Sequence, residues 1–591
     1  MKIADSAKPI ICIFSLTLAA CAQQPVQPQA AAPDEQTEQP AAPQPKPRVV
    51  VRPPATKPPV LPQVALTQPV LFKLLLAEIA LQRGQNNVAV QSLLDLTKET
   101  RDPRIAQRAT EVALNTRFFG VALETAGIWL AADPESQQAR QILAALLVNQ
   151  SRLADAEPHL EKWLASAGKE NIAASFMQLG AILARHQDKA AVLQLTQNLA
   201  KPYLNMPEAH YSIAQAAVNA NNNTLALAEI REALKLRSDW EPAALFQGQL
   251  LQRTSNADAL AYLQSFLKSY PRAMDVRLSY ARLLVTDKQY ARARTEFEAL
   301  LKEFPDNADV TMAVALLSLQ LNDFDAAEVQ LKHALDTNYK DPEAIRFYLG
   351  QVNEEKKRFD EALRWYGSVN GGDQYVPSRA RYAGILAKQG KMNEARQYLQ
   401  QAGRNGQERV QFVQAEAQLL RDANDFRGAF DLLGQAIAVN PNSSELLYDQ
   451  AMAAEKVERF DVLEANLRKV IQMKPDYAHA YNALGYTLAD RNIRLDEAYS
   501  LIEKALKLAP EDPFIMDSMG WVLFRMNQND AAITFLRRAL EIRPDAEIAA
   551  HLGEVLWATG RHDEAKKVWA SALKDHPANE LLTGTVKKFT P

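Results

Sequence analysis

Four residues recur along the carboxyl-terminal part of this chain at fixed distances. Gly520, Ala532, Ala539 and Pro544 are separated by twelve, seven and five positions, and Gly553, Ala565, Ala572 and Pro577 repeat the same offsets. A third set, Gly485, Ala498, Ala505 and Pro510, differs by one extra residue in ADRNIRLDEA, which falls in a turn. A period of about 34 residues restricts the fold more than composition does, because a unit that short cannot bury its own apolar face and must stack on its neighbours.

The spacing has a packing logic. In a pair of antiparallel helices, small residues at one point of the first helix and two points of the second let the backbones approach, and large residues fill the space between. Here Gly520, Ala532 and Ala539 are the small set, with Met519, Leu523 and Leu536 as the large one. Pro544 ends the second helix, because it has no backbone N–H and restrains the residue before it.

This spacing resembles that of the tetratricopeptide repeat. Towards the amino terminus the pattern weakens but keeps its period, through Ala451 and Pro475; Ala417, Ala429, Ala436 and Pro441; Gly350 and Ala362; Ala315, Ala327 and Ala334; and Ala281, Ala293 and Pro305. Fainter echoes are Ala214, Ala226 and Ala233, then Ala144 and Ala156, then Ala122 and Pro134. The expected fold is all-α, a right-handed superhelical solenoid of about 14–15 helical hairpins. Glycines at 367–372 and 403–406 interrupt the regularity and mark either a bend between two sub-arrays or ordinary long turns. The expected organisation is a degenerate array over 66–370, carboxyl-terminal repeats over 376–577 and a capping segment over 578–591.

The amino terminus is of another kind. Lys2 and Lys8 precede an apolar run from Pro9 to Ala20, too short to span a bilayer and laid out like a secretory signal. It ends Leu18-Ala19-Ala20-Cys21, which resembles the lipobox of bacterial lipoproteins. That resemblance implies a signal peptide over 1–20 and lipidation of Cys21, and Ala22 after it implies the outer membrane, facing the periplasm. Cys12 lies inside the segment to be removed, so the mature chain would keep one cysteine and no disulfide. From Cys21 to 65 the chain is dominated by Pro, Gln and Ala, with too little apolar surface to order it, and reads as a disordered tether. Its reach is roughly 130 Å if extended as polyproline and nearer 40 Å as a flexible coil.

Chemistry is represented mostly by its absence. The eight histidines (His159, His186, His210, His333, His479, His551, His562 and His576) are scattered, with no H-E-x-x-H pair; His551 and Glu554, one turn apart, read as surface and groove residues. Neither a nucleophile elbow nor a phosphate or dinucleotide loop occurs, so no catalytic residue, metal site or cofactor is expected. The 67 basic and 70 acidic residues give a net charge of -3, about -4 after the signal is removed, and no basic stripe points to nucleic acid.

In tetratricopeptide arrays the first helices line the concave face and their exposed side chains do the reading. The repeat register nominates Tyr448, His479, Asn482, Tyr486, Asp490, Asp517, Trp521, Phe524, Arg525, Glu554 and Trp557 as a protein-binding groove. Aromatics with Arg are what binding hot spots favour, although Phe524 and Trp557 equally suit inter-repeat packing. The Lys/Asn set by which some repeats clamp a free carboxylate is not evident.

The stretch from Tyr481 to Ala565, with LGYTLADR, LDEA and DSMGWVLFR, is similar to a family of proteobacterial outer-membrane lipoproteins built of these repeats. The resemblance implies an adaptor that binds a carboxyl-terminal-processing protease and presents peptidoglycan hydrolases to it for degradation. Two other functions use the same parts: a scaffold of an envelope secretion or polysaccharide-export machine, and an enzyme with a site hidden among the repeats.

Overall fold

The structure, a computed structural model, describes residues 62, 65–184, 186–337, 339–403 and 408–590. The lipobox, Cys21 and most of the Pro-rich segment lie outside the described residues. Among those described, 31 α-helices follow one another from Gln68–Gln82 to Glu580–Phe589, joined by short turns and one 3-10 turn at Lys201–Tyr203, with no strand. In chain order they make fifteen pairs and a closing helix, the all-α hairpin architecture that the spacing predicts.

One repeat shows how the sequence builds the unit. Helix Pro513–Arg525 begins where the Asp512 carboxylate accepts from the backbone N–H groups of Phe514 and Ile515 at 2.9 and 3.2 Å, with Pro513 at a position that needs no N–H. It ends at Met526, and Asn527 takes the left-handed conformation (φ 62°) that reverses the chain into helix Asn529–Ile542. That helix stops at Arg543, immediately before Pro544. Between the two helices Gly520, Ala532, Ala539 and Leu536 are fully buried. A Cβ on Gly520 would stand 2.5 Å from Leu536 Cγ and 3.1 Å from the Ala532 carbonyl oxygen, so hydrogen is the only side chain the crossing admits.

The same rule operates in its neighbours with different large residues. Gly485 faces Ile502 and the Ala498 carbonyl, Gly553 faces the Trp569 indole, and Gly350 faces the Tyr366 ring. The fainter echoes are part of the packing too: Ala122, Ala144, Ala156, Ala214, Ala226 and Ala233 are all fully buried. Ala436 and Ala572, at equivalent positions in their repeats, are only half-buried.

A second period runs through the turns. Gly84, Arg117, Ser151, Asn221, Lys288, Asn322, Lys357, Gly390, Asn424, Glu458, Asn492, Asn527 and Gly560 all have positive φ, most of them one repeat apart, at the reversal between the first and second helix. Glycine and Asn occupy eight of these positions at small cost; the others hold an L side chain in a conformation it disfavours. The extra residue of ADRNIRLDEA is absorbed here, with both Asn492 and Arg494 left-handed.

The helices fall into two compact units, one running to Leu321 and the other from Asn322. In the first, apolar clusters are built around Trp129, Trp163 and Phe176 and around Tyr280, Phe297 and Leu284. In the second, one continuous cluster extends from Ala417 to Leu582. The 367–372 interval lies in the second unit and is pinned: Arg379 donates to the carbonyls of Gly367 and Val369, and the Asn370 N–H donates to Glu343 at 2.9 Å.

Candidate functional site

The nominated groove residues all lie on four first helices of the second unit: Ser444–Lys456, Ala478–Asp490, Pro513–Arg525 and Ala546–Ala558. The second of these packs on the third and the third on the fourth, so equivalent positions come into register about one repeat apart.

The structure draws the middle of the set together. His551 Nδ1 is 2.9 and 3.0 Å from the two Asp517 oxygens, and its ring stacks on Trp521 with centroids 4.4 Å apart and lies tilted to the Tyr486 ring at 6.1 Å. His551 is 7 % exposed and Trp521 6 %, so neither is a surface residue, as the sequence reading had His551. Their positions explain this: both sit where two neighbouring first helices touch. Burial opposes a charged imidazole, but Asp517, with Glu547 and Glu554 beyond it, outweighs burial and the His551 pKa is raised. Burial pushes the Glu547 carboxyl up, against the attraction of His551. The Tyr486 phenol is held far up, first by burial and then by Glu547, Asp517, Asp490 and Glu455.

Around this pair Arg525 and Phe524 are placed less deeply, and Asn482 is buried. Arg525 donates through Nη2 to the Asp490 carbonyl at 3.1 Å and lies 5.9 Å from the Trp521 ring. Phe524 is half-buried, 5.5 Å from Trp521. The Asn482 amide oxygen and the Trp521 indole N–H are buried without a hydrogen-bond partner among the described residues. Such atoms are rare in proteins.

The ends of the set belong elsewhere. Trp557 stacks on His562 at 4.2 Å and on Trp569 at 5.8 Å and approaches Phe589 at 6.1 Å, which makes it part of the closing aromatic cluster; Glu554 pairs with Lys588 at 3.1 Å. Tyr448 packs edge-on against Tyr477, where burial raises its pKa, and His479 is exposed at the rim beside the same Tyr477. Asp490 is exposed as well.

Sequence reasoning missed the Asp517–His551 pair and the part of Glu547. The signal was the period: His551 follows Asp517 by 34 positions, Arg525 follows Asp490 by 35 and Lys588 follows Glu554 by 34, so a residue and its counterpart one repeat later are spatial neighbours. Among the described residues no group of three or more His, Cys, Asp or Glu is arranged to hold a metal ion, and no helix is long and apolar enough to cross a membrane.

Tetratricopeptide-repeat models match residues 250–317, 284–347, 448–513 and 523–584. The chain is 33 % identical over 522 residues to the TPR repeat-containing protein PA4667 of Pseudomonas aeruginosa, covering 88 % of each protein. It is 26 % identical over 394 residues to cellulose synthase operon protein C of Pseudomonas fluorescens, covering 53 % of this chain and 30 % of that protein. Among solved structures, yeast Tom70 aligns over 85 % of this chain and 91 % of its own at 13 % identity and a TM-score of 0.33.

Proposed function

The chain belongs to the tetratricopeptide-repeat family, and from that premise we propose that it is an outer-membrane-anchored adaptor which binds a periplasmic processing protease and presents cell-wall hydrolases to it. The observation that supports the reading most is the row of side chains on the stacked first helices of the second unit, where Phe524 and Arg525 flank Trp521 and the half-buried Tyr486 lies on the neighbouring first helix. Aromatic and Arg side chains in such a row are what binding hot spots favour. The lipobox-like LAAC at Leu18–Cys21 and the tether after it supply the anchor. Such a protein acts by holding two others together, and tethering raises their effective concentration to about the millimolar range without new chemistry.

The test is a reconstituted digestion with purified processing protease, candidate hydrolases and the unlipidated mature chain. The adaptor reading expects cleavage to be slow without this protein and faster with it; an unchanged rate for every hydrolase sets it aside. The anchor is tested separately: Cys21→Ser protein should leave the outer-membrane fraction in density-gradient fractionation, and a processed mutant that stays with outer-membrane markers rejects lipidation. A second reading, a scaffold of an envelope polysaccharide-export machine, draws on the similarity to cellulose synthase operon protein C. Co-purification of synthase or pore components in place of a protease would favour it.

A further inference from the structure

Helix Gln68–Gln82, QPVLFKLLLAEIALQ, opens the first unit and is apolar on all sides. Leu74, Ala77, Ala80 and Leu81 pack towards the helices that follow. The other side presents Leu71, Phe72, Leu75, Leu76 and Ile79, all exposed, Phe72 at 65 % and Leu75 at 52 %. Spaced at i, i+1, i+4, i+5 and i+8, they form one continuous stripe, extended by exposed Leu66 just before the helix. The first unit of a stacked array ordinarily turns a polar face outward, and a helix apolar all round is ordinarily covered. Lys73 and Glu78, its two charged residues, pair with Glu99 and Arg108 on neighbouring helices, so no charge of this helix stands on the stripe.

The sequence upstream limits what covers it. The preceding segment carries Pro53, Pro54, Pro58, Pro59 and Pro62, and proline is disfavoured inside a helix such as a further repeat would need there. The same segment joins the stripe directly to Cys21, the residue read as the acyl anchor, so of everything in the folded body this helix is nearest along the chain to the lipid surface. We propose that the Leu71–Phe72–Leu75–Leu76–Ile79 stripe docks on the membrane, its side chains entering the boundary between headgroups and acyl chains, and so seats the amino-terminal end of the array on the lipid. This rests on the lipoprotein reading for the choice of occupant. An uncharged stripe of Leu, Ile and Phe enters that boundary without the cost of burying a charge, and a second, weak contact beside a covalent acyl anchor is strengthened by proximity.

The test uses the mature chain carrying Cys21→Ser, which has no acyl group, mixed with vesicles of phosphatidylethanolamine and phosphatidylglycerol and floated on a density gradient. The unlipidated protein should float with the vesicles, and Phe72→Ser/Leu75→Ser, on exposed positions where circular dichroism should be unchanged, should reduce flotation by about tenfold. As a second readout, Phe72→Trp should show a blue-shifted emission on adding vesicles. Protein that stays in the dense fractions, or floats equally with and without the two substitutions, overturns the proposal. So does a concentration-dependent dimer, or a complex with the processing protease, that the two substitutions abolish while vesicles remain unbound, since the stripe is then a protein interface. Mass spectrometry of acylated Cys21 in the native protein judges the anchor on its own, so the failure of one does not pass for the failure of the other.

Discussion

The His551 imidazole is clasped through Nδ1 by the Asp517 carboxylate at 2.9 Å, across the contact between two consecutive repeats. A charged pair closed off from water in this way couples the repeats to pH. The His551 pKa is raised in the folded state, because the attraction of Asp517, Glu547 and Glu554 exceeds the cost of burial. Relative to an ordinary value of about 6.5, its stabilisation is complete below that pH and is lost as pH rises through the raised value. Urea unfolding followed by tryptophan fluorescence should therefore show the carboxyl-terminal repeats weakening from pH 6 towards pH 9. His551→Gln should flatten that difference and lower stability by about 1–3 kcal/mol, because Asp517 stays buried with a poorer partner. A parent protein with the same pH dependence as the variant counts against the assignment.

Two glycines that look alike in the sequence should respond in opposite directions to Ala. A Cβ on Gly553 would lie 2.0 Å from the Trp569 indole nitrogen, whereas one on Gly127 meets nothing within 4 Å. Gly553→Ala should lower stability by about 1–3 kcal/mol by overpacking, and Gly127→Ala, inside helix Phe119–Ala132, should raise it by about 0.5–1 kcal/mol. Gly520→Leu should be worse than Gly553→Ala, since Leu536 and the Ala532 carbonyl confine it together. Chemical denaturation of the full chain measures all three.

Glu458 holds a φ of 59° at the reversal before helix Phe460–Met473, the place where Gly560 serves in the last hairpin. Glu458→Gly should stabilise the second unit by about 0.5–1 kcal/mol, and Gly560→Ala should destabilise it by about 1 kcal/mol. Equal and opposite effects are not needed; a loss of stability in Glu458→Gly would show that its side chain contributes more than its backbone costs.

Binding and folding are separable on the nominated groove. Trp521 is buried against His551, so Trp521→Ala should cost about 3–5 kcal/mol and reduce partner binding through loss of structure. His479 is exposed, and His479→Ala should weaken capture of a bound partner while leaving the helical circular dichroism and the melting temperature nearly unchanged, whereas Phe524, half-buried against Trp521, belongs with the residues whose loss also lowers stability. Isothermal titration against a captured partner, beside a melt of each variant, distinguishes the two classes.

Much of this protein is written in one dimension. The recurrence of Gly520, Ala532, Ala539 and Pro544 one repeat later at Gly553, Ala565, Ala572 and Pro577 specified paired helices, their stacking and their stop points, because each depends on residues close in the chain: a proline that ends a helix, a glycine that lets one helix touch the next. The register also put Tyr486, Asp517 and Trp521 on the same row of helices. It could not say which of them would face water. That depended on the partner one repeat away: His551 covers Trp521 and takes Asp517, Trp569 and Phe589 take one side of Trp557, and His479 is left at the rim. Burial, a raised pKa and an exposed apolar stripe on Gln68–Gln82 are sums over neighbours distant in sequence. A repeating pattern states which neighbours meet; only the packed helices decide what each meeting removes from solvent, because desolvation acts on side chains in space and not on their order along the chain.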